Sequence, residues 1–336
     1  MDENLFYDRL HQRCPREFLL KELEAGEHNV VLLASRFMSE MEQMQNTNAY
    51  YCKTMIKALL DNEWIFRKAF SIINDDEDET EISDYLYEKY IELLSTRKPD
   101  PTMKEVVRYR FDEKVKIRIE ETPNLISAAS TTGFRTWEAA LYMGDFVINK
   151  PLQQLALMQK EDRKKLNVLE IGAGTGIVSF VLLEKYREFV NRMYVSDGDS
   201  NMVERQLKRN FELNDALCEN GPDVKLQRLW WGSDRIPDDI DLVVAADVTY
   251  DSTIFPELCQ CLAECLAISR CKMCLLSATI RSESTDKLFA QECNKIGLNY
   301  TVVSSTEHDK DSESRMKTLT FKPLIAPIRI YKVVRL

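Results

Sequence analysis

No apolar run reaches the roughly 18 residues that a membrane-spanning helix requires. The opening Met1-Asp-Glu-Asn-Leu-Phe carries acid where a secretion signal would be basic and then apolar. Neither membrane insertion nor export is expected, and a cytoplasmic monomer is. Basic residues are in deficit, 45 Lys and Arg against 55 Asp and Glu, for a net charge of −10. That is the wrong sign for a broad phosphate-binding face, so a protein or small molecule is expected as partner and no direct nucleic acid. Histidine is scarce too. His11, His28 and His308 are too scattered to suggest a metal site or a catalytic triad.

Glycine is sparse, ten in 336 residues, yet three stand at alternate positions in Val168-Leu-Glu-Ile-Gly172-Ala-Gly174-Thr-Gly176-Ile177. An apolar run ending in a carboxylate and then glycines reads as a strand turning into a helix, with backbone free to adopt positive φ and to approach a ligand closely. A dinucleotide fingerprint, Gly-x-Gly-x-x-Gly/Ala, would need a small residue at 177, and Ile177 stands there. Glu170, two residues before Gly172, instead gives the Glu-x-Gly-x-Gly-x-Gly order of S-adenosylmethionine (SAM) sites. SAM carries an ammonium and a sulfonium but no pyrophosphate, so an acid at the turn favours it.

Cysteine is not scarce: Cys259, Cys261, Cys265, Cys271 and Cys274 crowd together. Residues 256–269 read as one helix, on which offsets of two and six project in different directions, so buried reduced thiols are expected rather than a zinc site. No metal is expected.

Residues 1–95 show helical periodicity, in Val30, Leu33, Phe37 and Met41 and again in Met55, Leu59, Ile65 and Phe66, with Gly26 as their only glycine. A helical module over 1–100 is expected, with Asp75-Asp-Glu-Asp-Glu as a solvated loop and Pro99-Asp-Pro101 closing it. Residues 101–336 are expected to form a second domain, opening with a hairpin of 106–111 and 115–119 around Asp112-Glu-Lys. Thr136 is placed to cap a helix from Trp137 to about Asn149, stopped by Pro151. Apolar strands at 168–171, 192–196, 224–229, 242–245, 272–278, 300–304 and 329–334 then alternate with helices at 177–187, 200–214, 255–268 and 284–296. Such alternation implies an α/β fold, a seven-stranded, mostly parallel, doubly wound sheet, whose ligands bind beyond the carboxyl ends of the strands.

Three strand ends complete a pocket. Asp197 closes the second strand, where a carboxylate can accept both ribose hydroxyls. Trp230-Trp231-Gly232 follows the third; either indole could stack on adenine or sit in the core, and Trp230 is the more readily buried of the two. Ala245-Ala246-Asp247-Val-Thr-Tyr250 ends the fourth and brings a carboxylate and a phenol to the rim.

Together with Thr132-Gly133-x-x-Thr136-Trp137-Glu138-Ala-Ala-Leu141, these segments resemble the seven-β-strand protein-lysine methyltransferases of class I fold over about residues 104–334. Within that family the likeness is greatest to the elongation factor 2 lysine methyltransferases and their fungal relatives, whose extension the N-terminal module also resembles. The resemblance implies that Trp137, Glu170, Gly172, Ala173, Gly174, Asp197, Trp231 and Ala246 hold SAM. It implies that Asp247 and Tyr250 are the catalytic residues beside a target lysine, and that elongation factor 2 is the protein partner. Trp230 departs from the family pattern, standing where relatives usually have aspartate. The Asn-Pro-Pro-Tyr motif that suits planar amide or base nitrogens is absent, while a carboxylate suits a cationic side chain, so lysine is preferred to adenine or glutamine.

Overall fold

The computed structural model describes residues 2–25, 31–70, 76–100, 102–122, 133–150, 165–215 and 221–336. The chain divides into two compact units, Met1–Tyr109 and Arg110–Leu336.

The first unit is helical: α1 (Glu3–His11), α2 (Arg16–Ala25), α3 (Ala34–Leu60), α4 (Glu63–Ala69) and α5 (Asp76–Glu92). Phe37, Met41, Met55, Leu59, Ile65 and Phe66 are buried, as their spacing requires. Leu33 is not: it precedes α3 with extended backbone, outside the helical repeat, and is 60 % exposed. The acidic run expected as a loop instead enters α5 from Asp76 onward. Carboxylates favour a first helical turn, where the helix dipole is positive, so a like-charge block there can begin a helix. Asp75, Gly26, His28, Val30 and Pro101 lie outside the described residues.

The hairpin comprises β1 (Glu105–Arg110) and β2 (Lys116–Glu121). Asp112 forms its turn by accepting from the backbone N–H groups of Lys114 and Val115 at 2.8 and 2.7 Å.

The second unit, which holds β2, runs on through α6 (Glu138–Asn149), β3 (Leu166–Ile171), α7 (Ile177–Lys185), β4 (Val190–Asp197), a π-helical stretch Met202–Leu207 running into α8 (Lys208–Leu213), β5 (Asp223–Arg228) and β6 (Leu242–Ala246). Then come α9 (Phe255–Ala267), β7 (Met273–Thr279), α10 (Glu283–Lys295), β8 (Leu298–Ser305), α11 (Lys310–Leu319) and β9 (Ile328–Arg335). The seven strands lie in the order β5-β4-β3-β6-β7-β9-β8, all parallel except β9, which runs antiparallel to both neighbours. This is the expected mostly parallel sheet.

Side chains alternate between two covered faces. Leu169, Ile171, Val243, Ala245 and Leu276 share one core with α9 and α10, through Leu258, Leu262, Cys265 and Phe289. Val168, Val244 and Leu275 are fully buried on the opposite side, where α6 and α7 pack. Cys259, Cys261, Cys265, Cys271 and Cys274 all sit in the α9 core as free thiols, and burial pushes the Cys271 thiol up to about 12.

Two local expectations change. Thr136 does not cap α6: Trp137 occupies that position with no side-chain cap, and Thr136 turns inward at 2 % exposure. Helix α11 was not expected. Its polar sequence carries only the apolar positions Met316 and Leu319, but Asp309 caps it by accepting from Ser312 N–H at 3.1 Å.

Candidate functional site

The strand ends converge around the glycine turn. After β3 the backbone takes φ of +63° at Gly172, +54° at Gly174 and +82° at Gly176, which caps α7. A Cβ on Gly172 would stand 2.6 Å from Val248 Cγ1 and 3.7 Å from the Trp231 ring, so the turn lies against the residues after β5 and β6. Ala173 N–H donates to Ser196 O at 2.9 Å, and Gly174 N–H to the Asp197 carboxylate at 3.0 Å, which ties the turn to the end of β4.

Glu170, the acid before the turn, points into the protein. It is 2 % exposed, and its Oε2 accepts from Ser179 N–H at 3.1 Å and from the Ser179 hydroxyl. Burial pushes its carboxyl up to about 8, against the pull of those two donors. Asp197 also accepts from Asp199 N–H at 3.1 Å, and burial raises its carboxyl above the ordinary range.

A strap crosses the turn. A Cβ on Gly174 would stand 3.4 Å from Gly133 Cα, and Thr136 and Thr175 join through their hydroxyls at 3.0 Å. Thr136 N–H donates to the buried Glu121 of β2 at 2.8 Å, and burial raises that carboxyl. Asn210 of α8 donates to Thr175 O at 2.9 Å and accepts from Glu120 N–H at 2.8 Å. Strand β2, α8 and the strap therefore hold the turn together. Thr132, the first residue of the strap motif, lies outside the described residues.

The two tryptophans separate in the opposite sense to expectation. Trp230 is 57 % exposed, with Arg228 5.8 Å from its ring centroid, whereas Trp231 packs on the α9 core. Gly232 at φ +80° turns the chain between the strand end and that core. Trp231 Nε1 is buried without a hydrogen-bond partner among the described residues.

Asp247 is one of two non-glycine residues with positive φ among those described, at +54°. Its N–H donates to Ser277 O at 2.7 Å, and its 8 % exposed carboxylate accepts from Thr279 N–H at 3.1 Å. Arg281 engages both oxygens, Nη1 to Oδ1 at 3.3 Å and Nη2 to Oδ2 at 2.7 Å. The Arg281 guanidinium also lies 5.4 Å from the Trp137 ring centroid, with Arg135 at 4.1 Å from the same ring. Tyr250, half exposed, lines a shallow pocket with Thr279, Arg281 and Thr285, and Ala246 pairs with Ser277 across β6 and β7.

Each residue expected to hold SAM or to act on the acceptor thus lies at the carboxyl end of the sheet or in the strap before α6. Not foreseen were Arg281, Ser179, Thr175 and Glu121. Arg281 follows the end of β7 by two residues, a position that the strand alternation could have flagged; its pairing with a residue 34 positions away carries no sequence signal.

The cradle fits SAM. Its turn has room only for glycine at 172, residues 170–177 include no arginine or lysine, and the Asp197 carboxylate is tied to Gly174 N–H beside it, whereas Glu170, the acid expected at the turn, is turned inward to Ser179. The unpartnered indole N–H of Trp231 beside Gly172 marks one polar group left for a ligand or water to satisfy.

The profile of the lysine methyltransferase family matches residues 113–295. The chain is 74 % identical over 338 residues to protein-lysine N-methyltransferase EFM3 of Saccharomyces cerevisiae, covering 100 % of each chain. It is 34 % identical to protein-lysine N-methyltransferase EFM3 of Chaetomium thermophilum, over 56 % of this chain and 55 % of that one. It is 27 % identical to protein-lysine N-methyltransferase EEF2KMT of Homo sapiens, over 66 % of this chain and 67 % of that one.

Proposed function

Since the chain belongs to the lysine methyltransferase family, we infer that it is a SAM-dependent protein-lysine N-methyltransferase, and we propose that it methylates elongation factor 2 in the cytoplasm. The observation that carries this reading is the convergence of the Gly172–Gly174 turn, Asp197 and Asp247 at the carboxyl ends of β3, β4 and β6. The name of the human relative, EEF2KMT, is compatible with that target. Among the described residues no helix is long and apolar enough to cross a membrane.

When bound, SAM supplies an electrophilic methyl group on a sulfonium. Gly172, Ala173 and Gly174 would give it close backbone approach, Asp197 would accept from its ribose, and Trp231 would hold its base by stacking, an interaction worth roughly 1–3 kcal/mol. Trp137 and Ala246 border the same space. Glu170 acts through Ser179 by holding the first turn of α7 beneath the glycines.

Asp247 and Tyr250 receive the lysine. Displacement requires a neutral amine about 3–3.5 Å from the methyl carbon, with its lone pair in line. A free lysine has a pKa of about 10.4, so the site must favour loss of the proton as well as aim the nitrogen. The helical N-terminal module, residues 1–100, serves substrate docking or stability.

Incubating the enzyme with methyl-labelled SAM and a cytosolic extract from cells lacking it tests the reading. One large protein band is expected, resistant to ribonuclease, lost on protease treatment, labelled on a lysine ε-amine and identical to elongation factor 2. Ribonuclease-sensitive label would overturn the acceptor, and label on another protein's lysine would overturn only the target.

A further inference from the structure

Arg281 was named by no motif, yet it holds the residue on which the acceptor side of the site depends. We propose that Arg281 is a positioning residue that cancels the charge of Asp247, so that the site aims the acceptor lysine without stabilising its ammonium form. The proposal rests on the reading of Asp247 and Tyr250 as acceptor-side residues.

A lone carboxylate facing an amine favours the protonated amine and raises its pKa, by about one to three units at close range. That is the wrong direction for methyl transfer, which consumes the neutral form. The geometry removes the difficulty. Asp247 is 8 % exposed, anchored by Thr279 N–H at 3.1 Å, and forked by Arg281 at 3.3 and 2.7 Å. The carboxylate keeps acceptor lone pairs for an N–H, while the pair as a whole carries no net charge, and the guanidinium disfavours a second cation beside it.

The other charged groups nearby have partners of their own. Asp286, which lines the same pocket from α10, is bound by Arg329 at 3.2 Å and by the Tyr331 hydroxyl at 2.7 Å. Arg135, which shares the Trp137 ring with Arg281, is paired with Glu138 at 2.7 Å. Among the described residues that line the pocket, the Tyr250 phenol is the remaining titratable group. Arginine suits the task better than lysine because its planar fork engages both carboxylate oxygens at once.

The test compares wild type, Arg281→Lys and Arg281→Met, with the full-length chain and intact protein substrate. It records kcat from neutral to strongly alkaline pH, and SAM affinity by calorimetry. Arg281→Met, which keeps length and loses charge, should move the rising limb of the profile upward by about one pH unit. Its rate near neutrality should fall roughly tenfold and recover at alkaline pH, with SAM affinity within about twofold of wild type. Arg281→Lys, which keeps the charge, should leave the limb where wild type has it. An Arg281→Met limb that coincides with wild type would overturn the proposal, as would a uniform loss at every pH, which marks a merely structural role. Wild-type enzyme that binds SAM but labels no lysine would remove the function reading, and this inference with it.

Discussion

The hydroxyls of Thr136 and Thr175 meet at 3.0 Å in the protein interior, joining the strap ahead of α6 to the glycine turn. Thr136 lies outside the glycine pattern and Thr175 is one of its variable positions, yet together they decide how the turn is held. Replacing Thr136 with Val keeps the shape and leaves the buried Thr175 hydroxyl without this partner, at a cost of about 1–3 kcal/mol. SAM affinity should fall severalfold and Tm by several degrees. Calorimetry and thermal unfolding check both, and an unchanged affinity would detach the strap from the cofactor site.

Gly172→Ala places a Cβ 2.6 Å from Val248 Cγ1 at a φ of +63°. The turn must shift, and SAM affinity should drop at least about tenfold while the far-UV circular dichroism stays native-like, since the sheet does not depend on the turn. A folded variant with wild-type affinity would sink the assignment of this turn to the cofactor.

Asp247→Asn should keep most of the SAM affinity and lose most of the methyl transfer, because the amide retains the shape but not the carboxylate that receives both the acceptor and Arg281. Trp231→Ala should do the reverse, weakening SAM by roughly 1–3 kcal/mol through lost stacking. Isothermal titration paired with labelled-methyl turnover separates the two effects. Undiminished turnover in Asp247→Asn would remove that residue from the mechanism.

Glu170 makes stability depend on pH. Its carboxyl is raised from about 4.5 to about 8 in the folded protein by burial, so the folded state binds a proton that the unfolded state gives up. The favourable contribution is therefore complete below the unfolded value and is lost progressively as pH rises through about 8. Glu170→Gln mimics the neutral acid and still accepts from Ser179. Wild-type Tm should decline between mildly acidic and alkaline pH more steeply than that of Glu170→Gln, by roughly 2–4 °C for each kcal/mol involved. Parallel Tm curves would mean that Glu170 does not titrate in this range.

Much of the fold was legible because its signals are local. Strands β6 and β7 are short, nearly continuous apolar runs whose pattern survives without their neighbours, β5 alternates apolar with polar residues, and the turn after β3 needs glycine wherever φ is positive. The strand ends at Asp197, Trp231 and Asp247 followed from the rule that ligands meet a parallel sheet at its carboxyl edge. Tertiary structure decided the rest, because it turns on which distant groups meet. Thr136, by sequence a helix cap, is drawn inward by Thr175 and Glu121; Trp231 rather than Trp230 finds the α9 core; and the acidic run, by charge a loop, enters α5 from Asp76. The partner of Asp247 is the clearest case. A lone aspartate at a strand end reads as a negative charge, and only the folding of β7 beside β6 brings Arg281 within 2.7 Å to neutralise it. Local propensity is written along the chain, whereas the charge that a site presents is a sum over residues that the fold alone brings together.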